Sequence, residues 1–317
     1  MSSGLLRFYL SSAPLYFGGV QAEIDEADFL VAGVPFDATA SYRPGTRFAP
    51  RAIREAAANI EFYSPRRRLD VENVKIHDLG DTAVFTSAEK QNRVLEEVAA
   101  SLASLYPEKP PIFLGGEHTI TYGIVKGYSR QHPTCLVVLD AHLDLRDEYM
   151  GDPFSHASVL RRLAEGRFIE RALVIGARAY VAEEARYLEA DERLTAVEAL
   201  TIKRRGVEAA TRIIRETLGE ECRRVHVSID MDVFDPAYAP GVGNPEPEGL
   251  TPTEVLDILH YVVDEAHRQG ESLSLDVVEV NPLLDHGGVT SVLAAKLVVE
   301  FIAAVTANKR AGRRGVG

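Results

Sequence analysis

Eight short apolar runs, set between longer amphipathic stretches, constrain this chain more than any other feature. The runs are FLVAGVP (29–35), VKIHDLG (74–80), PIFLGG (111–116), CLVVLDAH (135–142), RALVIGAR (171–178), RLTAVEA (193–199), RVHVSID (224–230) and SLSLDVVEV (272–280). Most are apolar nearly throughout, as strands buried on both faces must be; a strand with one wet face would alternate. Helical patterns such as AEKQNRVLEEVAASLASLY and KRRGVEAATRIIRETL lie between them. In TPTEVLDILHYVVDEAHRQG, Thr251 is placed to cap, Pro252 suits the first helical position, Glu254 completes a capping box and Gly270 ends the helix. The alternation predicts an α/β fold, a three-layer α/β/α sandwich around a parallel sheet of about eight strands. No composition shift, linker or repeat divides the chain, so residues 1–317 read as one domain. The Gly- and Arg-rich tail, 309–317, is expected to be disordered.

A net charge of −12 argues against general affinity for nucleic acid or an anionic membrane, and favours cationic partners. No uninterrupted apolar run reaches the roughly 18 residues of a membrane span, and the first residues lack a secretory pattern. A cytoplasmic location is therefore expected. The two cysteines, Cys135 and Cys222, read as buried thiols and not as a disulfide or a thiolate metal site.

Open α/β sheets bind ligands at the carboxyl ends of their strands. Four runs end in polar groups there: Glu117 and His118; Asp140, His142 and Asp144; Asp230 and Asp232; Asp276, Glu279 and Asn281. If the strands stay extended, Asp140, His142 and Asp144 share one face, and so do Asp230 and Asp232. A lone aspartate at a strand end is most often a turn former or a helix cap. So many carboxylates at one edge, however, repel one another and resist ionisation unless a cation holds them. Four aspartates balance two divalent ions, with both histidines neutral. Oxygen and imidazole donors without thiolate point to a hard ion such as Mn²⁺, two per subunit.

The segments GGEHT, DAHLD, SIDMDVFDPAYAPGVGNPEPEGLT and DVVEVNP, in this order, resemble the ureohydrolases, the arginase and agmatinase family. With VPFDATASYRPGTRFAPRAIREA near the start, the likeness covers nearly the whole chain and is strongest to archaeal-type agmatinases. The resemblance implies a binuclear manganese centre. One ion would take His118, Asp140, Asp144 and Asp230, and the other His142, Asp140, Asp230 and Asp232. Glu279 matches the glutamate that pairs with the substrate guanidinium. His156 matches a mobile proton-shuttle histidine, although by itself it reads as a helix N-terminal residue after Ser155. Among the remaining polar residues, His226 reads as a satisfied core histidine, Asp235 as a turn residue, and Asp276 as structural, orienting a ligand.

The implied reaction is hydrolysis of a guanidinium group by a metal-bridging hydroxide, with Asp144 and then His156 relaying a proton to the leaving amine. The loop LRDEYMGDPFSHAS lacks the SGN element of arginases. Its Asp147, Glu148 and Asp152 suit a distal ammonium, which selects agmatine, giving urea and putrescine for polyamine biosynthesis. Arg146 counts the other way. N1-aminopropylagmatine, arginine and guanidinobutyrate are the other substrates weighed. A non-catalytic metal-binding regulator of polyamine metabolism is disfavoured, because all six ligand positions are present. A metal-dependent amide hydrolase is a third reading. A homo-oligomer, trimer or hexamer, is expected from the resemblance.

Overall fold

The structure, a computed structural model, describes residues 3–314 apart from 20, 220 and 271. All eight apolar runs form strands: β2 (Phe29–Gly33), β3 (Ile76–Thr82), β4 (Pro111–Leu114), β5 (Thr134–Leu139), β6 (Ile169–Ala177), β7 (Leu194–Glu198), β8 (Arg224–Asp230) and β9 (Ser272–Val278). A two-residue strand, β1 (Leu10–Ser11), adds an edge. The nine-stranded sheet has the order β1-β3-β2-β4-β9-β8-β5-β6-β7. It is parallel except where β1 runs against β3.

Alternate side chains of the strands enter opposite cores, which makes the three layers. On one face Val31, Ile112, Val137, Val227 and Leu275 pack with residues of the helices Ala49–Ala57, Pro252–Gln269 and Val289–Arg314. On the other, Leu30 and Phe113 meet Val94 and Leu95 of the helix Ala88–Leu105 and Ile124 of Ile120–Ser129. Farther along that face, Leu136, Val138 and Val174 meet Leu160 and Leu163 of Val159–Glu165. The helix Pro252–Gln269 is capped as the sequence predicts, with reciprocal Thr251–Glu254 hydrogen bonds and Gly270 left-handed at φ 74°.

Two expectations change. Cys135 and Cys222 are not free thiols but a disulfide, with Cα atoms 5.7 Å apart. They meet because β8 lies beside β5, with Val225 paired to Cys135. The tail is helical through Arg314, so residues 309–314 continue the last helix; 315–317 lie outside the described residues. That helix is long and apolar enough to cross a bilayer by length and composition, yet 72% of its most apolar window is buried. Its apolar surface is used in the core.

Register sets the position of the site. Leu114 pairs with Val277, Val277 with Ile229, and Ile229 with Leu139. Four adjacent strands therefore finish in one row, and the chain that leaves each of them carries the polar residues.

Candidate active site

Above that row the chain leaves strand geometry, and loop conformations bring the ligand types together. β5 ends at Leu139, and Asp144 lies at φ 52°. Glu279 follows β9 at φ 64°. Left-handed backbone at two non-glycine residues is strained and persists where surroundings over-determine it, typically at functional sites. Convergence of Asp140, His142 and Asp144 is thus achieved by a turn and not by strand period.

The aspartates divide their oxygens between two tasks. Asp140 Oδ1 accepts the His142 backbone N–H at 2.6 Å, Asp230 Oδ1 that of Asp232 at 2.8 Å, and Asp232 Oδ1 that of Ala141 at 3.0 Å. These bonds fix each carboxylate and aim its second oxygen at an imidazole. His118 Nδ1 lies 3.0 Å from Asp140 Oδ2, 2.9 Å from Asp144 Oδ2 and 3.5 Å from Asp230 Oδ2. His142 Nδ1 lies 2.9 Å from Asp232 Oδ2 and 3.5 Å from Asp140 Oδ1. Two groups, His118–Asp140–Asp144 and Asp140–His142–Asp232, have the proximity a metal ion needs and share Asp140.

The donors fit metal ions. His118 Nδ1 is buried and makes no hydrogen bond, although carboxylate oxygens surround it. Adjacent donors around a six-coordinate ion with bonds of about 2.1 Å lie roughly 3 Å apart, as these do. The electrostatics agree. Burial and Asp140 push Asp144 up to about 7, and burial with Asp232 and Asp140 pushes Asp230 well up. Burial and Glu117 push Glu279 well up as well. All of these carboxylates ionise together only beside added positive charge.

The remaining expected residues separate into two sets. Glu279 is in the cleft, its Oε1 accepting the His118 backbone N–H at 2.7 Å. His156 lines the same cleft, with its backbone N–H on Thr39 Oγ1 at 3.1 Å and Nε2 3.2 Å from Ser41 Oγ. Burial lowers His156 to about 4, so the imidazole is neutral near pH 7. The loop acids do not join them. Asp147 is exposed and bonded to Arg162 at 2.5 Å, Glu148 is exposed, and Asp152 accepts the Phe154 N–H at 2.8 Å within its turn. None of the three lines the cleft of about 120 Å³. Its outer wall is Ser41, Arg43, Arg146, Tyr149 and Asn244.

Sequence reasoning missed the supports of these groups. Buried Glu117 accepts the Thr39 hydroxyl at 2.6 Å and its N–H at 2.9 Å, and burial pushes it up to about 8. Through Thr39 it holds His156 in the cleft. Arg178 donates to the carbonyls of Asp232, Phe234 and Glu246 at 2.7, 3.3 and 2.9 Å, gathering the loop that follows Asp232. Nothing in the spacing marks Arg178; its role comes from β6 standing beside β5.

Known proteins share this fold and part of its sequence. The arginase-family profile matches residues 27–304. An agmatinase of Pyrococcus horikoshii is 38% identical over 281 residues, 88% of this chain and 93% of that protein. The crystal structure of an agmatine ureohydrolase of Thermoplasma volcanium superposes with a TM-score of 0.81 at 34% identity, covering 97% of this chain and 99% of that one. A proclavaminate amidino hydrolase from Streptomyces clavuligerus gives 0.76 at 30% identity, over 94% and 96% of the two chains. The chain belongs to the arginase family, the ureohydrolases, and is a hydrolase of that family.

Proposed function

We propose that this protein hydrolyses the guanidinium group of agmatine, releasing urea and putrescine, with two Mn²⁺ ions held by His118, Asp140, His142, Asp144, Asp230 and Asp232. One observation carries the reading: a carboxylate suited to a guanidinium, Glu279, is hydrogen-bonded at 2.7 Å to the backbone of His118 and shares its cleft. When bound, the ions supply Lewis acidity and an activated water at neutral pH. The oxygen and imidazole donors, without thiolate, favour manganese over a structural zinc site.

The chain's own residues do the rest. Glu279 pairs with the planar cation and orients its central carbon toward the aspartate cluster. Substrate charge also compensates the carboxylate that burial and Glu117 disfavour. Asp144 and then His156 pass a proton to the departing amine. Neutral His156 relays this proton instead of storing it, with Thr39 and Ser41 setting its ring. A homo-oligomer, trimer or hexamer, in the cytoplasm completes the proposal; light scattering tests the assembly.

Agmatine is supported by the relatives named agmatinase and agmatine ureohydrolase. A second reading has its own observation. Arg43 and Arg146 stand on the outer wall, stacked on Tyr42 at 4.7 Å and Tyr149 at 4.8 Å, where a substrate tail would lie. Two guanidinium groups suit a carboxylate tail, as in a guanidino acid. A panel of agmatine, N1-aminopropylagmatine, arginine and guanidinobutyrate, compared by kcat/KM, decides between them. Preference for a carboxylate-tailed member overturns agmatine and leaves the metal centre standing.

A further inference from the structure

A carboxylate stands in the middle of the sheet, on a strand that is buried over nearly its whole length. Asp276, on β9, is fully buried and faces Ser228 across the β8–β9 pair. Its Oδ1 accepts the Ser228 hydroxyl at 2.5 Å. Its Oδ2 accepts the Thr121 hydroxyl at 2.7 Å and lies 2.8 Å from His226 Nε2. Burial pushes this carboxyl up, but His226 and the hydroxyl outweigh it and hold Asp276 below its ordinary range. It is an anion, which only accepts hydrogen bonds. An interior charge is costly unless fully bonded.

Proton counting gives it a task. Ser228 has one hydroxyl proton, and it is donated in the hydrogen bond to Asp276. The same oxygen lies 3.0 Å from His118 Nε2, so toward that ring it only accepts. Thr121 Oγ1, 3.3 Å from Ser228 Oγ, likewise donates its hydrogen bond to Asp276. His118 must then carry its proton on Nε2. A neutral imidazole has one bare nitrogen, and here that is Nδ1, which lies 2.9 Å from Asp144 Oδ2 and 3.0 Å from Asp140 Oδ2. In the reverse arrangement Ser228 would donate to His118 Nε2, leaving Asp276 Oδ1 unpaired and placing the ring N–H on Nδ1, where no lone pair would remain for a metal.

We propose that Asp276 is a positioning residue of the metal centre: through the Ser228 hydroxyl it fixes the tautomer of His118 and so presents the Nδ1 lone pair to the metal. This rests on the metal reading above. Asp276 touches neither ion nor substrate, and acts only through Ser228. The outer pair, His226 Nδ1 with Ser274 Oγ at 2.8 Å, braces His226 and lies one residue farther from the centre. That separation supplies a control.

Mn²⁺ titrations of the metal-free protein by calorimetry test the proposal, with Co²⁺ titrations followed by visible absorption as a second readout. Wild type takes two ions. Ser228→Ala and Asp276→Asn each weaken one of the two about 10- to 100-fold, the usual effect of losing a partner behind a metal-bound histidine, and leave the other within about twofold. Ser274→Ala binds both as wild type does. Unchanged affinity in Ser228→Ala overturns the inference, as does equal weakening in Ser274→Ala, which would mean general loosening of the core. If Asp276→Asn fails to fold, Ser228→Ala, the loss of one oxygen atom, decides alone. A wild type that takes no metal removes the functional reading and the inference together; two ions bound equally well by wild type and Ser228→Ala remove only the inference.

Discussion

Glu279 Oε1 accepts the backbone N–H of His118 at 2.7 Å, tying the carboxylate expected to hold substrate to the chain that presents a metal ligand. The bond crosses from β9 to β4, neighbouring strands that end level with each other. A shift in one group therefore moves the other.

Glu279→Gln keeps the shape but removes the charge that meets a guanidinium. Two charge-assisted hydrogen bonds are each worth about 1.5–3 kcal/mol, so kcat/KM falls at least about 100-fold. Metal content, read by elemental analysis, stays at the wild-type value. Loss of metal together with activity would show that Glu279 serves the metal centre and not the substrate.

Asp140 is the carboxylate that faces both histidines. Asp140→Ala is expected to lose both ions, whereas Asp232→Ala, which faces His142, loses one. Elemental analysis after dialysis against dilute Mn²⁺ separates these outcomes. One ion retained by Asp140→Ala would mean that the carboxylate is not shared.

Glu300 supplies a pH dependence away from the site. Burial pushes it up, but hydrogen bonds from His260, Ser64 and Lys296 outweigh burial and hold it at about 2. Its folded pKa lies below the unfolded one, so its contribution is complete above about pH 4.5 and is lost as pH falls toward 2. The stability gap between wild type and Glu300→Gln in urea should narrow by about 1.4 kcal/mol from pH 5.5 to 3.5. A constant gap would show that the group is not held ionised.

The Cys135–Cys222 bridge closes 87 residues of chain between β5 and β8, the strands that lead into Asp140 and Asp230. A loop of that length is worth about 4.5 kcal/mol in the chain-entropy account. Denatured but unreduced protein should show no free thiol, and Cys222→Ala should lower the unfolding midpoint. Two free thiols per chain in protein as purified would contradict the bridge.

Much of this was legible before the structure, for identifiable reasons. Runs such as CLVVLDAH are strands because both faces are buried, which leaves little freedom of interpretation. Leu10–Ser11 was not legible, since two residues have no period and join the sheet only by meeting β3. The disulfide was hidden because only strand order brings Cys135 beside β8. Ligand types at three strand ends marked the metal cluster, although the geometry that joins them is a turn with Asp144 left-handed. The loop acids do not line the cleft: no periodicity fixes where a loop side chain points, and Arg162 of the next helix bonds Asp147. Arg178 and Thr39 carried no signal, as their roles exist only across strands and loops far apart in sequence.

Urea release from agmatine by protein verified to hold two Mn²⁺ ions per chain tests the central claim most directly. Equal amounts of urea and putrescine are predicted, abolished by a chelator and restored by Mn²⁺. No urea from agmatine or any other guanidino compound, with both ions in place, would contradict the account.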